Sequence, residues 1–93
     1  MNTIKKIKSG MVDESDLFEY ITSNNFNIAL AAAESPLATS IILNVAALDT
    51  DDRIRLAALK NKNVSLETIL KLCNDHNPTV AAFAKEEAKR RGL

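Results

Sequence analysis

The chain repeats itself. Cut at Met11, Leu37 and Asn63, its 93 residues yield three 26-residue units: MVDESDLFEYITSNNFNIALAAAESP, LATSIILNVAALDTDDRIRLAALKNK and NVSLETILKLCNDHNPTVAAFAKEEA. A fixed period of this length marks architectures in which one supersecondary unit must stack on its neighbours to bury its apolar face. The units agree in residue type more than in identity. Asp13, Thr39 and Ser65 share a column, and all three are helix N-cap residues. Leu17, Leu43 and Ile69 share a core-like column, and Asn25, Asp51 and Asn77 form a second cap column. Ile28, Ile54 and Val80 follow three residues later, then Ala32, Ala58 and Ala84. Each unit therefore has the order cap, helix, polar turn, cap, helix. Pro78 falls at the first position after its cap, where a missing N–H costs nothing. Pro36 separates the first unit from the second.

Composition supports helices throughout: 13 Ala and 11 Leu stand against 4 Val, 2 Gly and 2 Pro. Thr3 to Ser9 predicts a short leading helix with Ile4 and Ile7 on one face, closed by Gly10. The last helix runs on to Gly92, with Glu86–Arg90 and Glu87–Arg91 as favourable pairs one turn apart. The expected fold is all-α, a short α-solenoid of about three 26-residue two-helix repeats behind a short N-terminal helix. As a single domain it divides into a cap (1–10), repeats (11–36, 37–62, 63–88) and a C-terminal helix extension (89–93). The first helix of each unit is expected to run about ten residues. That of the second unit (Ile41, Ile42, Leu43, Val45, Ala46, Ala47, Leu48) is apolar nearly all round, which predicts burial on most sides.

The stretch Asp49-Thr50-Asp51-Asp52-Arg53-Ile54-Arg55-Leu56-Ala57-Ala58 resembles the Asp-rich turn and following helix of the HEAT and armadillo repeat superfamily. It is most similar to the bacterial leucine-rich-repeat-variant type, as is Asn63-Val64-Ser65-Leu66-Glu67-Thr68-Ile69-Leu70. The resemblance covers about residues 11–88. Units one and three carry Ile28-Ala29 and Val80-Ala81 where that family has arginine. The resemblance implies a bacterial scaffold that binds other proteins, and a ladder along the turns in which Arg55 bonds Asp49 or Asp75. The other reading of Arg53 and Arg55 is that they face a ligand.

Chemistry-bearing motifs are sparse. Cys73 and His76 are the sole residues of their kinds, giving two metal ligands where a structural zinc needs four. Asp49, Asp51 and Asp52 lack the ligand spacing of a calcium loop; helix capping accounts for Asp49 and Asp51, and Asp52 suits the positive start of the helix. Two glycines near opposite ends build no phosphate-cradling loop. No catalytic residue, metal or cofactor is therefore expected, and the chain is not expected to be an enzyme. Its longest apolar run, Ile28 to Ala33, is far too short to span a bilayer, so no membrane role is expected. The N-terminus lacks the apolar core of a secretory signal, and one cysteine forms no internal disulfide. Together these predict a cytoplasmic location.

The net charge of zero hides a division. Residues 1–12 hold three lysines and no acid, residues 13–52 eight acids and no Lys or Arg, and residues 53–93 nine bases and four acids. The leading functional expectation is a small scaffold or adaptor that binds a peptide or protein along its second helices. Asn27, Glu34, Arg53, Arg55, Lys60, Thr79 and Lys85 are the candidate contacts. The alternatives are nucleic-acid binding at the basic end (Lys62, Lys89, Arg90, Arg91) and head-to-tail self-association of complementary ends.

Overall fold

Among the described residues, seven side-chain caps start seven helices. Asn2, Asp13, Asn25, Thr39, Asp51, Ser65 and Asn77 each accept a backbone N–H from the first turn that follows. Such a bond satisfies a donor the helix itself cannot. The computed structural model describes residues 2–93. Its helices are α1 (Thr3–Lys8), α2 (Glu14–Ile21), α3 (Phe26–Glu34), α4 (Ser40–Ala46), α5 (Asp52–Lys60), α6 (Leu66–Leu72) and α7 (Pro78–Arg90), with no strand among the described residues. All six caps expected within the units stand where the columns put them. Gly10 and Gly92 end α1 and α7 with φ of 76° and 87°, values open to glycine at little cost.

The first helix of each unit is shorter than expected: α2 has 8 residues, and α4 and α6 have 7. The cause lies in the backbone. Each last turn tightens to three-residue bonds, Thr22→Glu19 and Ser23→Tyr20, Leu48→Val45 and Asp49→Ala46, Asn74→Lys71 and Asp75→Leu72. The same bonds recur at the same unit positions, so the three turns leave their helices in one way.

Packing follows a simple order. α2 packs on α3, α4 on α5 and α6 on α7, while α3 also contacts α5, and α5 contacts α7. α1 lies against α3, and α2 against α4. The principal dimensions are 40 × 23 × 16 Å. The core holds Leu17, Leu43, Ile69, Ile54, Val80 and the column alanines Ala32, Ala58 and Ala84, all sealed from solvent. Alanine at those three positions lets helix backbones approach closely.

The expectation that the helix of unit two is buried on most sides is not met. Leu43, Ile42 and Ala46 are buried, but Ile41 is 60% exposed and Leu48, just past α4, is 78% exposed. α4 packs against α2, α3 and α5 and is bonded to α6 through Asn44 and Thr68, and these contacts leave Ile41 and Leu48 uncovered.

Polar side chains tie the joins between units. Buried Asn61 donates to the carbonyls of Ala33 (2.9 Å) and Ser35 (2.8 Å), and its own oxygen accepts the Asn63 N–H (3.0 Å). Asn63 donates to the carbonyls of Pro36 (3.0 Å) and Ala38 (2.9 Å). One unit later the matching carbonyls, Lys62 and Val64, are met by Arg91 at 3.4 and 2.7 Å. The Asn61→Ala variant strands the Ala33 carbonyl and the Asn63 N–H, while the Ser35 carbonyl keeps its bond from the Ala38 N–H, and it is expected to lose about 2 kcal/mol. That is a fall of about 8–16 °C in Tm for a domain of this size, measurable by thermal circular dichroism.

Candidate interaction surface

The surface begins at the turns that aim the second helices. Ser23, Asp49 and Asp75 each accept the N–H of the cap two residues later, Asn25, Asp51 and Asn77, at 3.0, 2.8 and 3.0 Å. Arg55 locks the second turn to the third. Its Nε and Nη2 donate to the Asp75 carboxylate at 2.8 and 3.0 Å, and its Nη1 donates to the carbonyls of Asp49 and Thr50 at 2.9 and 3.2 Å. The hydrogen bonds from Arg55 hold the Asp75 carboxyl below its ordinary value, against the opposing pull of burial, with the Asn77 N–H assisting. Alongside, Asn77 donates its side-chain amide to Asp52.

Arg55 is thus 4% exposed and does not reach the surface, which removes it from the candidate partner contacts. The physical reason is the buried carboxylate opposite: the guanidinium spends four of its five N–H groups on acceptors inside the protein and is itself buried, away from any ligand outside. Of the two acids named for it, Asp75 supplies its side chain and Asp49 its carbonyl.

The other six candidates are all exposed. Asn27, Arg53 and Thr79 occupy one column at the starts of α3, α5 and α7, and Glu34 and Lys60 occupy another near the ends of α3 and α5. Lys85 differs, because its column mates Ala33 and Leu59 are buried. It lies on the last helix, α7, which no further helix pair covers.

Two cations lie over rings of neighbouring units. Arg53 stacks 3.8 Å from the Phe26 ring centre and pairs with Asp51 (Nη2–Oδ2 2.8 Å), while Lys60 lies 5.7 Å from the Phe83 centre. The Arg53 hydrogen bond lowers the Asp51 pKa and raises that of Arg53. Phe83 lines a shallow surface depression of about 560 Å³ along α7, with Pro78, Thr79, Ala82 and Glu86.

The basic end is arranged around an acid. Glu87 is buried and bonded by Arg90, and Arg91 Nε lies 3.5 Å from it. Arg90 therefore turns to Glu87, three residues back, in place of the expected Glu86. Arg91 is held by Glu87 and by two backbone carbonyls. Lys60, Lys62, Arg90 and Arg91 line a depression with the Glu87 carboxylate in it, which opposes a phosphate there.

Cys73 packs against the core as a half-buried apolar residue, and His76 is exposed in its turn. No group of three or more His, Cys, Asp or Glu with metal-holding geometry occurs among the described residues. Among those residues, too, no helix is long and apolar enough to cross a membrane.

Sequence reasoning missed exposed apolar residues on and beside the first helices of the units: Phe18 on α2, Ile41 on α4, Leu48 beyond it, and Leu66 and Leu70 on α6. For Ile41 and Leu48 the signal is the surplus hydrophobicity of their segment, which points to the interior; Phe18, Leu66 and Leu70 carry no such signal. No protein-family model matches the chain, and no curated protein or solved structure matches it.

Proposed function

We propose that the chain is a non-catalytic protein-binding module, a short stack of three HEAT-like helical repeats whose second helices form the contact face. Support for the stack comes from the order of packing, α3 on α5 and α5 on α7, from turn hydrogen bonds that recur every 26 residues, and from a long axis of 40 Å against 16 Å. The observation that carries the binding role is the depression on α7. It joins an apolar wall, Ala82 and Phe83, to the hydrogen-bonding edge of Thr79 and Glu86, with Lys60 of the preceding unit over the ring. A shallow apolar strip with a polar rim suits an extended peptide or one face of a partner protein. Location in the cytoplasm accords with the single free cysteine.

A second reading places the contact on the opposite layer, and the exposure of Ile41, Leu48, Leu66 and Leu70 favours it. Affinity capture from the native host, followed by mass spectrometry, separates the two. Wild type is compared with a Lys60→Glu/Thr79→Arg variant and with Ile41→Asp/Leu48→Asp, each checked for native helicity. A partner lost by the first variant and kept by the second supports the second-helix face. The reverse result moves the contact to the first-helix layer, and capture unchanged by either overturns both.

A further inference from the structure

The Arg55 seat has a counterpart one unit earlier. Between the second and third turns, a guanidinium sits among two carbonyls (Asp49, Thr50) and one carboxylate (Asp75). Moving back 26 residues, the same positions are Ser23, Asn24 and Asp49, and the arginine position is Ala29. The turns there keep the same shape, since Ser23 and Asp49 make the same bonds to Asn25 and Asp51. Beside these turn residues lies a surface cavity of about 220 Å³, lined by Ser23, Asn24, Phe26, Asp49 and Asp51 among others, while Ala29 itself is buried behind it in the core.

The cavity's chemistry matches its shape. One oxygen of Asp49 accepts the Asp51 N–H at 2.8 Å, and no cation pairs with this carboxylate among the described residues. Arg53 does not line the cavity; it is stacked on Phe26 and paired with Asp51. The floor is the side of Ile54, buried in the core. An arginine is favoured over a lysine because its planar fork satisfies a carboxylate and carbonyls together, as Arg55 does next door.

We propose that the cavity between the first and second turns is a seat for a guanidinium group, filled by an arginine side chain of a bound polypeptide. The proposal rests on the three-repeat reading above but not on the second-helix contact face. A partner arginine would complete, from outside, the line of charge that Arg55 completes from within.

The test is a titration of the 15N-labelled protein with N-acetyl-arginine methylamide, followed by amide chemical shifts, with N-acetyl-lysine methylamide as control. The expected result is saturable shifts at residues 23–25 and 49–51, with Kd about 1–10 mM for so small a ligand, and no saturation by lysine. Shifts equal for lysine and arginine, or no saturable shift for arginine, overturn the proposal. The Ala29→Arg variant is expected to fill the seat itself, raise Tm and abolish the response. A folded Ala29→Arg protein that still binds arginine counts against the seat. Should that variant not fold, Asp49→Asn keeps an oxygen for the Asp51 N–H and is expected to weaken arginine binding several-fold. Unchanged binding there overturns the proposal. Lys60→Glu/Thr79→Arg, which disables the contact face, is expected to leave the titration unchanged, so failure of one proposal does not mimic failure of the other.

Discussion

Arg55→Leu is expected to lower stability at neutral pH by about 3–5 kcal/mol, because it leaves the buried Asp75 carboxylate without its counter-charge. At about 4–8 °C per kcal/mol, Tm should fall by at least about 12 °C. The side chains concerned are 5% and 6% exposed, so solvent does little to replace the lost partner. Most of the loss belongs to the stranded charge. The double variant Arg55→Leu/Asp75→Asn should therefore be more stable than Arg55→Leu alone, since asparagine still offers an oxygen to the Asn77 N–H.

The pH dependence has a definite sign. In the native protein the Asp75 pKa is depressed, so its contribution is present above the unfolded value of about 3.9 and is lost as pH falls through the folded value. In Arg55→Leu the unpaired buried carboxyl is instead raised, and protonation relieves it. The gap between wild type and Arg55→Leu should narrow as pH drops from about 7 toward 3. Chemical denaturation at a series of pH values measures it, and a constant gap would contradict the assignment of Asp75 as the partner.

Much of this arrangement was legible in the sequence because it is local. A cap and the N–H it accepts lie two or three residues apart, so Asp13, Asn25, Thr39, Asp51, Ser65 and Asn77 declared the helix starts directly. The Arg55 partnership was implied by the resemblance to helical-repeat families, on the column that Asp49 and Asp75 share. Three-dimensional choices were less accessible. Glu86 and Glu87 are equally plausible partners along one helix, and Arg90 turns to Glu87, whose carboxylate is buried and also draws Arg91. Asn61 and Asn63 follow the end of α5. Their bonds reach carbonyls 25–28 residues back, and no local pattern announces them. Charge segregation along the chain did not reveal that the basic end folds around an acid.

The same limit makes two leucines of one sequence segment diverge. Leu43→Ala is expected to cost about 3–4 kcal/mol, whereas Leu48→Ala should change stability by less than about 0.5 kcal/mol. Leu43 is fully buried, on a helix that touches α2, α3 and α5, so truncation opens a space the surrounding backbone cannot close. Leu48 lies five residues on, beyond the end of α4, and its side chain ends in water. Thermal or urea unfolding of the two variants reads the difference as about 12 °C or more in Tm for the first and almost none for the second. Comparable losses from the two would show that α4 is covered on both sides, as its composition suggested. They would also show that the apolar layer bearing Ile41 and Leu48 is interior surface. A small effect at Leu48 accords with a side chain that the fold leaves in solvent.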